Sequence, residues 1–199
     1  MIGGLLVAGL LASAASAFCP DANAAHAFDF DQTTAAAGFR VRAGGLPLRG
    51  KFQRLHGQLR VATNGTRACV RTELDATSVS MATDAFGAWA RSEFFDAANH
   101  PQLEFRSLPF DPRVMLGGGV VDGSLTLRGT TRPQRLRAQP ARCAAEPRAI
   151  CTVQLRGAML RSSFGMRARR PFVADRVELD LHFEAPRAEL STSDVAPLP

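Results

Sequence analysis

The sequence has no tyrosine, one tryptophan and a single lysine, Lys51. Nowhere do four Lys or Arg residues follow one another, and the densest basic stretch is Arg167, Arg169 and Arg170. The net charge of +6 is therefore carried by arginines dispersed between residues 40 and 187. Nucleic-acid binding calls for basic residues interleaved with exposed aromatics on one surface. Here the 13 Phe residues fall mostly on an apolar phase or beside turns, so a solvated outer face explains the arginines better. The same charge suits peripheral contact with an anionic membrane surface. No C-x-x-C occurs, and His26, His56, His100 and His182 lie far apart, which argues against a metal site. The nucleophile elbow, the zinc-protease helix, the P-loop and a glycine fingerprint before a helix are all missing. Gly117-Gly118-Gly119 lies between strand-like segments and reads as a turn. No enzymatic activity and no cofactor are expected.

Residues 1–39 contain no Lys or Arg, and Leu5–Leu11 is a short apolar run leading into Ala15-Ser16-Ala17. That pattern is the apolar core and cleavage signal of an export leader, and the run is too short to span a bilayer. The expected organisation is a signal peptide over 1–17, a domain over 28–186 and a loose tail over 187–199. Ala24 and Ala27 are later cleavage points, and the missing basic residues place the expected start upstream of Met1. Export into an oxidising compartment favours disulfides among Cys19, Cys69, Cys143 and Cys151. A hairpin of 133–142 with 150–156 about Pro147 would set Cys143 opposite Cys151, within bonding range. Closing that nine-residue loop is worth ~2.6 kcal/mol in the chain-entropy model. Cys19 and Cys69 would form the remaining pair.

Past residue 27 the dominant period is two. Val177, Leu179, Leu181 and Phe183 alternate with Glu178, Asp180, His182 and Glu184, the pattern of a half-buried strand. The same alternation marks strands at 102–106, 121–127 and 151–156, and others are expected at 37–43, 49–62, 67–75 and 133–142. Asn64-Gly65 reads as a two-residue hairpin turn. Asp84 is a candidate cap for a short helix carrying Phe86, Trp89 and Phe94. About eight strands with one polar and one apolar face predict an all-β antiparallel barrel or sandwich with a short helical insertion. A barrel of this size either fills itself with side chains or holds one small ligand. Gly57, Gly123 and Gly157 on the inward phase favour room for a cavity, and empty space of hundreds of Å³ would separate a carrier from a packed barrel.

Four segments in order resemble one family. They are Ser92-Glu93-Phe94-Phe95-Asp96 with His100-Pro101-Gln102-Leu103-Glu104-Phe105-Arg106-Ser107; Val121-Asp122-Gly123-Ser124-Leu125-Thr126-Leu127-Arg128-Gly129-Thr130-Thr131-Arg132-Pro133; Arg161-Ser162-Ser163-Phe164-Gly165-Met166; and Asp175-Arg176-Val177-Glu178-Leu179. Together they are similar to the YceI-like family of periplasmic proteins, across roughly 28–186. Arg40-Val41-Arg42-Ala43-Gly44-Gly45 departs from the family, which often has a His after the first long strand. The resemblance implies a lipocalin-like extended barrel, a periplasmic location and an elongated apolar cavity. It also implies an isoprenoid lipid or quinone-like amphiphile as ligand. The candidate wall residues are Phe39, Val41, Phe52, Leu59, Phe105, Leu125, Leu127, Val153, Leu155, Leu179, Leu181 and Phe183. Arg91 and Arg161 open two Arg-Ser pairs and are expected to close turns or pair acids, with headgroup contact as the alternative role. The contrasting reading is a non-enzymatic, stress-linked structural or interaction protein whose barrel is packed solid.

Overall fold

Alternating apolar residues build an eleven-stranded antiparallel sheet in the computed structural model, which describes residues 24–62, 65–145 and 149–191. In chain order the strands are β1 (Ala24–Asp31), β2 (Ala35–Ala43), β3 (Leu46–Phe52), β4 (Leu55–Ala62), β5 (Ala68–Asp75), β6 (Val79–Met81), β7 (Gln102–Ser107), β8 (Gly119–Leu127), β9 (Thr130–Cys143), β10 (Ile150–Leu160) and β11 (Val173–Pro186). Their order across the sheet is β1-β4-β5-β7-β8-β9-β10-β11-β2-β3-β6.

Eleven strands rather than about eight corrects the expectation, and the cause is kinking. β1 runs into β2, β3 into β4 and β5 into β6 across breaks of two or three residues. Each kinked course keeps its neighbour on both sides of the break: Asp31 pairs with His56 and Ala37 with Phe52, while Leu55 pairs with Leu74 and Phe52 with Val79. The middle break is tied by backbone bonds, from the Gln53 N–H to the Ser78 carbonyl (3.2 Å) and from the Asp75 N–H to the Arg54 carbonyl (3.1 Å). Counted by course rather than by segment, the sheet curls into an eight-course barrel, as small barrels with filled interiors do.

The turns follow positive backbone angles more than the expected dipeptide. Arg128 and Gly129, at φ 52° and 67°, join β8 to β9, the signature of a two-residue hairpin turn that matches sheet twist. β4 and β5 are instead paired out to Ala62 and Arg67, whose backbones bond at 2.8 Å. Gly65 sits in their link at φ 63°, while Asn64, the other half of the expected turn, lies outside the described residues.

Between β6 and β7 the chain leaves the sheet to form helix α1 (Asp84–Trp89), which continues as a π-helical turn over Ala90–Phe94. Thr83, not Asp84, is its cap, with Oγ1 accepting from the Phe86 N–H at 3.2 Å. Arg91 latches this insertion to the sheet by donating to the Val79 carbonyl at 2.7 Å. A short helix at the other end, α2 (Arg113–Gly117), buries Met115 completely. The tail expectation is corrected over its first residues: Arg187–Leu190 forms a helical turn, α3, with Leu190 fully buried. Cys143 and Cys151 are register partners and are disulfide-bonded. Cys69 is also disulfide-bonded, whereas Cys19, its expected partner, and the expected leader over 1–17 lie outside the described residues.

Candidate functional site

Packing along the barrel axis is uneven. At the α2 end the interior is solid: Leu59, Val70, Val121, Val153 and Phe183 are at most 1% exposed. Phe30 stacks on Phe183 with ring centroids 4.5 Å apart. Three glycines expected to leave room do the opposite, by seating neighbours. A Cβ on Gly57 would fall 2.3 Å from the Phe30 ring, and one on Gly157 would fall 2.5 Å from Leu136; one on Gly123 would strike the β7 backbone. Their missing side chains are occupied by other residues, not by empty space.

Toward α1 the packing opens into two apolar compartments that share Phe39, Phe95 and Met159 as a partition. The larger has a free volume of about 70 Å³. Its wall includes Phe52, Phe105, Leu125, Leu127, Leu155, Leu179 and Leu181, all among the candidate wall residues. The smaller, about 30 Å³, lies under the insertion among Val41, Trp89, Phe94, Met166 and Val177. Nine of the twelve candidate wall residues thus border empty space. Leu59, Val153 and Phe183 do not, because they belong to the packed end. The free space falls short of the hundreds of Å³ that were to mark a carrier; as it stands the interior is nearer the packed barrel, and a long occupant requires the side chains that divide it to move.

The partition is built from movable parts. The rings of Phe39, Phe52 and Phe95 meet edge to face or tilted, with centroids 5.4–5.9 Å apart. Met159 beside them is unbranched and rotates easily. Phe39 reaches its place because Gly50 on the neighbouring strand has no side chain there; a Cβ would lie 2.2 Å from the ring. Phe95, Leu103, Leu136 and Met159 escaped the sequence reading. Phe95 lies outside any strand, and the recognised alternation of β10 stopped at Leu155.

Arg161 closes the roof. It is 1% exposed, and its guanidinium donates to the carbonyls of Met166, Ala168, Val173 and Ala174 at 2.8–3.0 Å. The Phe94 ring covers it from 5.3 Å. Two of these carbonyls belong to the loop between β10 and β11 and two to the first residues of β11, so this arginine ties the loop to the strand it leads into rather than holding a ligand headgroup. The Asp175 carboxylate holds the same loop by accepting from the Ser162 hydroxyl (2.6 Å) and N–H (2.9 Å), with Arg170 at 3.0 Å. The Ser162 hydroxyl bond is the largest influence on its pKa, and together with the Ser162 amide and Arg170 it outweighs the opposing effect of burial and lowers it.

Apart from Arg161, the paired charges on the strands face outward and several pairs cross strands, as in Arg71 with Glu104 and Arg135 with Asp122. Among the described residues no group of three His, Cys, Asp or Glu side chains is placed to hold a metal ion. No helix among them is long and apolar enough to cross a membrane.

A family model described as the YceI-like domain matches residues 28–185. Burkholderia cenocepacia BcnA, a solved structure, is similar over 78% of this chain and 98% of its own, with a TM-score of 0.64 at 19% identity. A polyisoprenoid binding domain from Saccharophagus degradans, implicated in plant cell wall breakdown, covers 79% and 96% with a TM-score of 0.59 at 14% identity. The Campylobacter jejuni YCEI protein covers 69% and 83%, with a TM-score of 0.54 at 17% identity. At these identities the likeness establishes the shared fold. No curated protein matches the sequence.

Proposed function

Since this chain belongs to the YceI-like family, we propose that it is a periplasmic carrier or sequestering protein for a long apolar lipid of isoprenoid type, held inside the barrel without chemistry. The observation that carries this reading is the pair of apolar compartments in line, separated only by Phe39, Phe95 and Met159. A chain that swings these side chains aside joins the two spaces into one tunnel. Each buried isoprene unit, with five carbons at ~0.8 kcal/mol each, contributes roughly 4 kcal/mol before ordering costs. A few units suffice for retention with little polar contact. Mass spectrometry of an organic extract of the natively purified protein is expected to find a near-stoichiometric long-chain lipid. Extracts without such a lipid, together with no uptake of added isoprenoid by the purified protein, would overturn the carrier reading.

Periplasmic residence rests on the leader-like pattern of residues 1–17 and on family membership. Among the proposed cleavage points, Ala17 suits the fold best, because Ala27 lies inside β1 and pairs with Arg60.

The loading surface is the roof end. Leu46 and Phe172, 70% and 74% exposed, are the most exposed large apolar side chains among the described residues. They are neighbours in space, for the Gly44 N–H bonds the Phe172 carbonyl at 2.9 Å. Arg42, Arg167 and Arg176 stand near them exposed, with no ion pair among the described residues. Apolar tips ringed by free cations fit the interface of an anionic bilayer. The protein is expected to sediment with vesicles of phosphatidylglycerol in phosphatidylcholine at low salt, and far less with phosphatidylcholine alone. The double substitution Leu46→Asp, Phe172→Asp should leave it in the supernatant. Equal sedimentation of both proteins would discard this surface.

A further inference from the structure

Among the described residues two buried polar groups bordering the compartments make no hydrogen bond, Trp89 Nε1 at the smaller and Thr72 Oγ1 at the larger, and the second lies deeper in the barrel. The inward residues of β5 are Val70, Thr72 and Leu74, and Thr72 is 2% exposed. It borders the larger compartment, yet its Oγ1 makes no hydrogen bond. Other buried hydroxyls of the barrel are employed. Ser107 Oγ accepts from the Val70 N–H at 2.8 Å. Ser78 Oγ accepts from the N–H groups of Gln53 and Arg54 and donates to the Asp75 carbonyl. Buried polar groups are normally satisfied, and an exception calls for a missing partner.

The surroundings define that partner. Gln134 is the other buried polar side chain at this compartment, and its Nε2 is already engaged by the carbonyls of Arg135 (2.8 Å) and Ala158 (3.2 Å). The Gln134 Oε1 can only accept, which leaves the Thr72 hydroxyl as the free donor facing this space among the described residues. No Lys, Arg or His lines it. A carboxylate or phosphate would arrive without a counter-charge and lose its hydration. Along β5 Thr72 lies one inward step nearer the packed end than Leu74, and the next inward residue, Val70, is solid core. The group that meets it is therefore the innermost part of the ligand.

We infer that Thr72 anchors a single uncharged oxygen, a hydroxyl or carbonyl, on the leading end of an apolar chain, so that the ligand enters oxygen first with its tail toward the roof. This rests on the carrier reading above. The test compares phytol with phytane, which share a branched C20 skeleton and differ in the terminal hydroxyl and the one double bond beside it. Each is titrated into delipidated protein while following Trp89, the single tryptophan, which borders the smaller compartment. Wild type is expected to prefer phytol on the order of tenfold, the worth of one hydrogen bond in a dry site. Thr72→Val, nearly the same shape, should bring that ratio close to one, and Thr72→Ser should restore it. Thr72→Ala repeats the test should the valine variant fold poorly. An unchanged ratio in folded Thr72→Val or Thr72→Ala overturns the anchor and leaves the carrier standing. If neither compound binds folded wild type, the carrier reading falls and the anchor falls with it.

Discussion

Replacing Leu125 or Leu181 with Arg is expected to abolish lipid retention in a barrel that still folds. Both side chains border the larger compartment and are 7% and 8% exposed. Among the described residues Asp180 is the one carboxylate residue at this compartment, and its side chain is turned to the outer face, where it accepts from Gln154 at 2.8 Å. A guanidinium there either draws water into the tunnel or blocks it, since desolvating it unpaired costs several kcal/mol. Both outcomes evict an apolar chain. Leu125→Ala is the companion variant, costing about 2–5 kcal/mol of stability through its cavity but leaving the tunnel apolar and loaded. Arg137→Ala, on the outer face of β9, should retain lipid like wild type. Extracts are compared by mass spectrometry, and circular dichroism confirms the fold. A folded Arg variant that co-purifies with as much lipid as wild type would show that the ligand lies elsewhere.

The second large effect falls on Arg161. Arg161→Met keeps the volume and removes every donor to the four carbonyls of residues 166–174. Breaking a buried hydrogen-bonded cation site in this way costs on the order of 3–5 kcal/mol, read as a lower urea midpoint with the slope unchanged. Arg161→Lys can reach fewer of the four carbonyls and should fall between the two. An unaltered midpoint in the Met variant would mean that the loop stands without its arginine. Acid is expected to act on the same loop. Asp175 has its pKa lowered in the folded protein, so its contribution is full above the unfolded value of about 4 and is lost as pH falls through the folded one. Protease nicking between Gly165 and Phe172 should therefore increase in strongly acidic buffer and stay flat from pH 6 to 8.

The strands were legible wherever both faces kept their period, and β11 is the clearest case: polar Glu178, Asp180 and His182 outside, Val177, Leu181 and Phe183 inside. The cysteine hairpin was legible because register alone sets Cys143 opposite Cys151. The kinks were not. Gln53-Arg54 and Ala76-Thr77-Ser78 contain no Gly or Pro, and their bend is imposed by Ser78 and Asp75 meeting residues far away in sequence. Nor could the alternating phase say at which height the interior stops being solid. Leu59 and Leu125 look alike in sequence, yet Phe30 and Phe183 fill the space at one level and nothing fills it at the other. Thr72 was overlooked for a related reason: a threonine on an inward phase is ordinary in sequence, and only the missing partner sets it apart.

The stacked rings of Phe30 and Phe183 also make the barrel a ruler. On the carrier proposal they would set the depth at which anything entering from the roof must stop. A guest would then be measured from its inner end, and its length would decide whether its tail reaches the level of Met166 and the roof arginines.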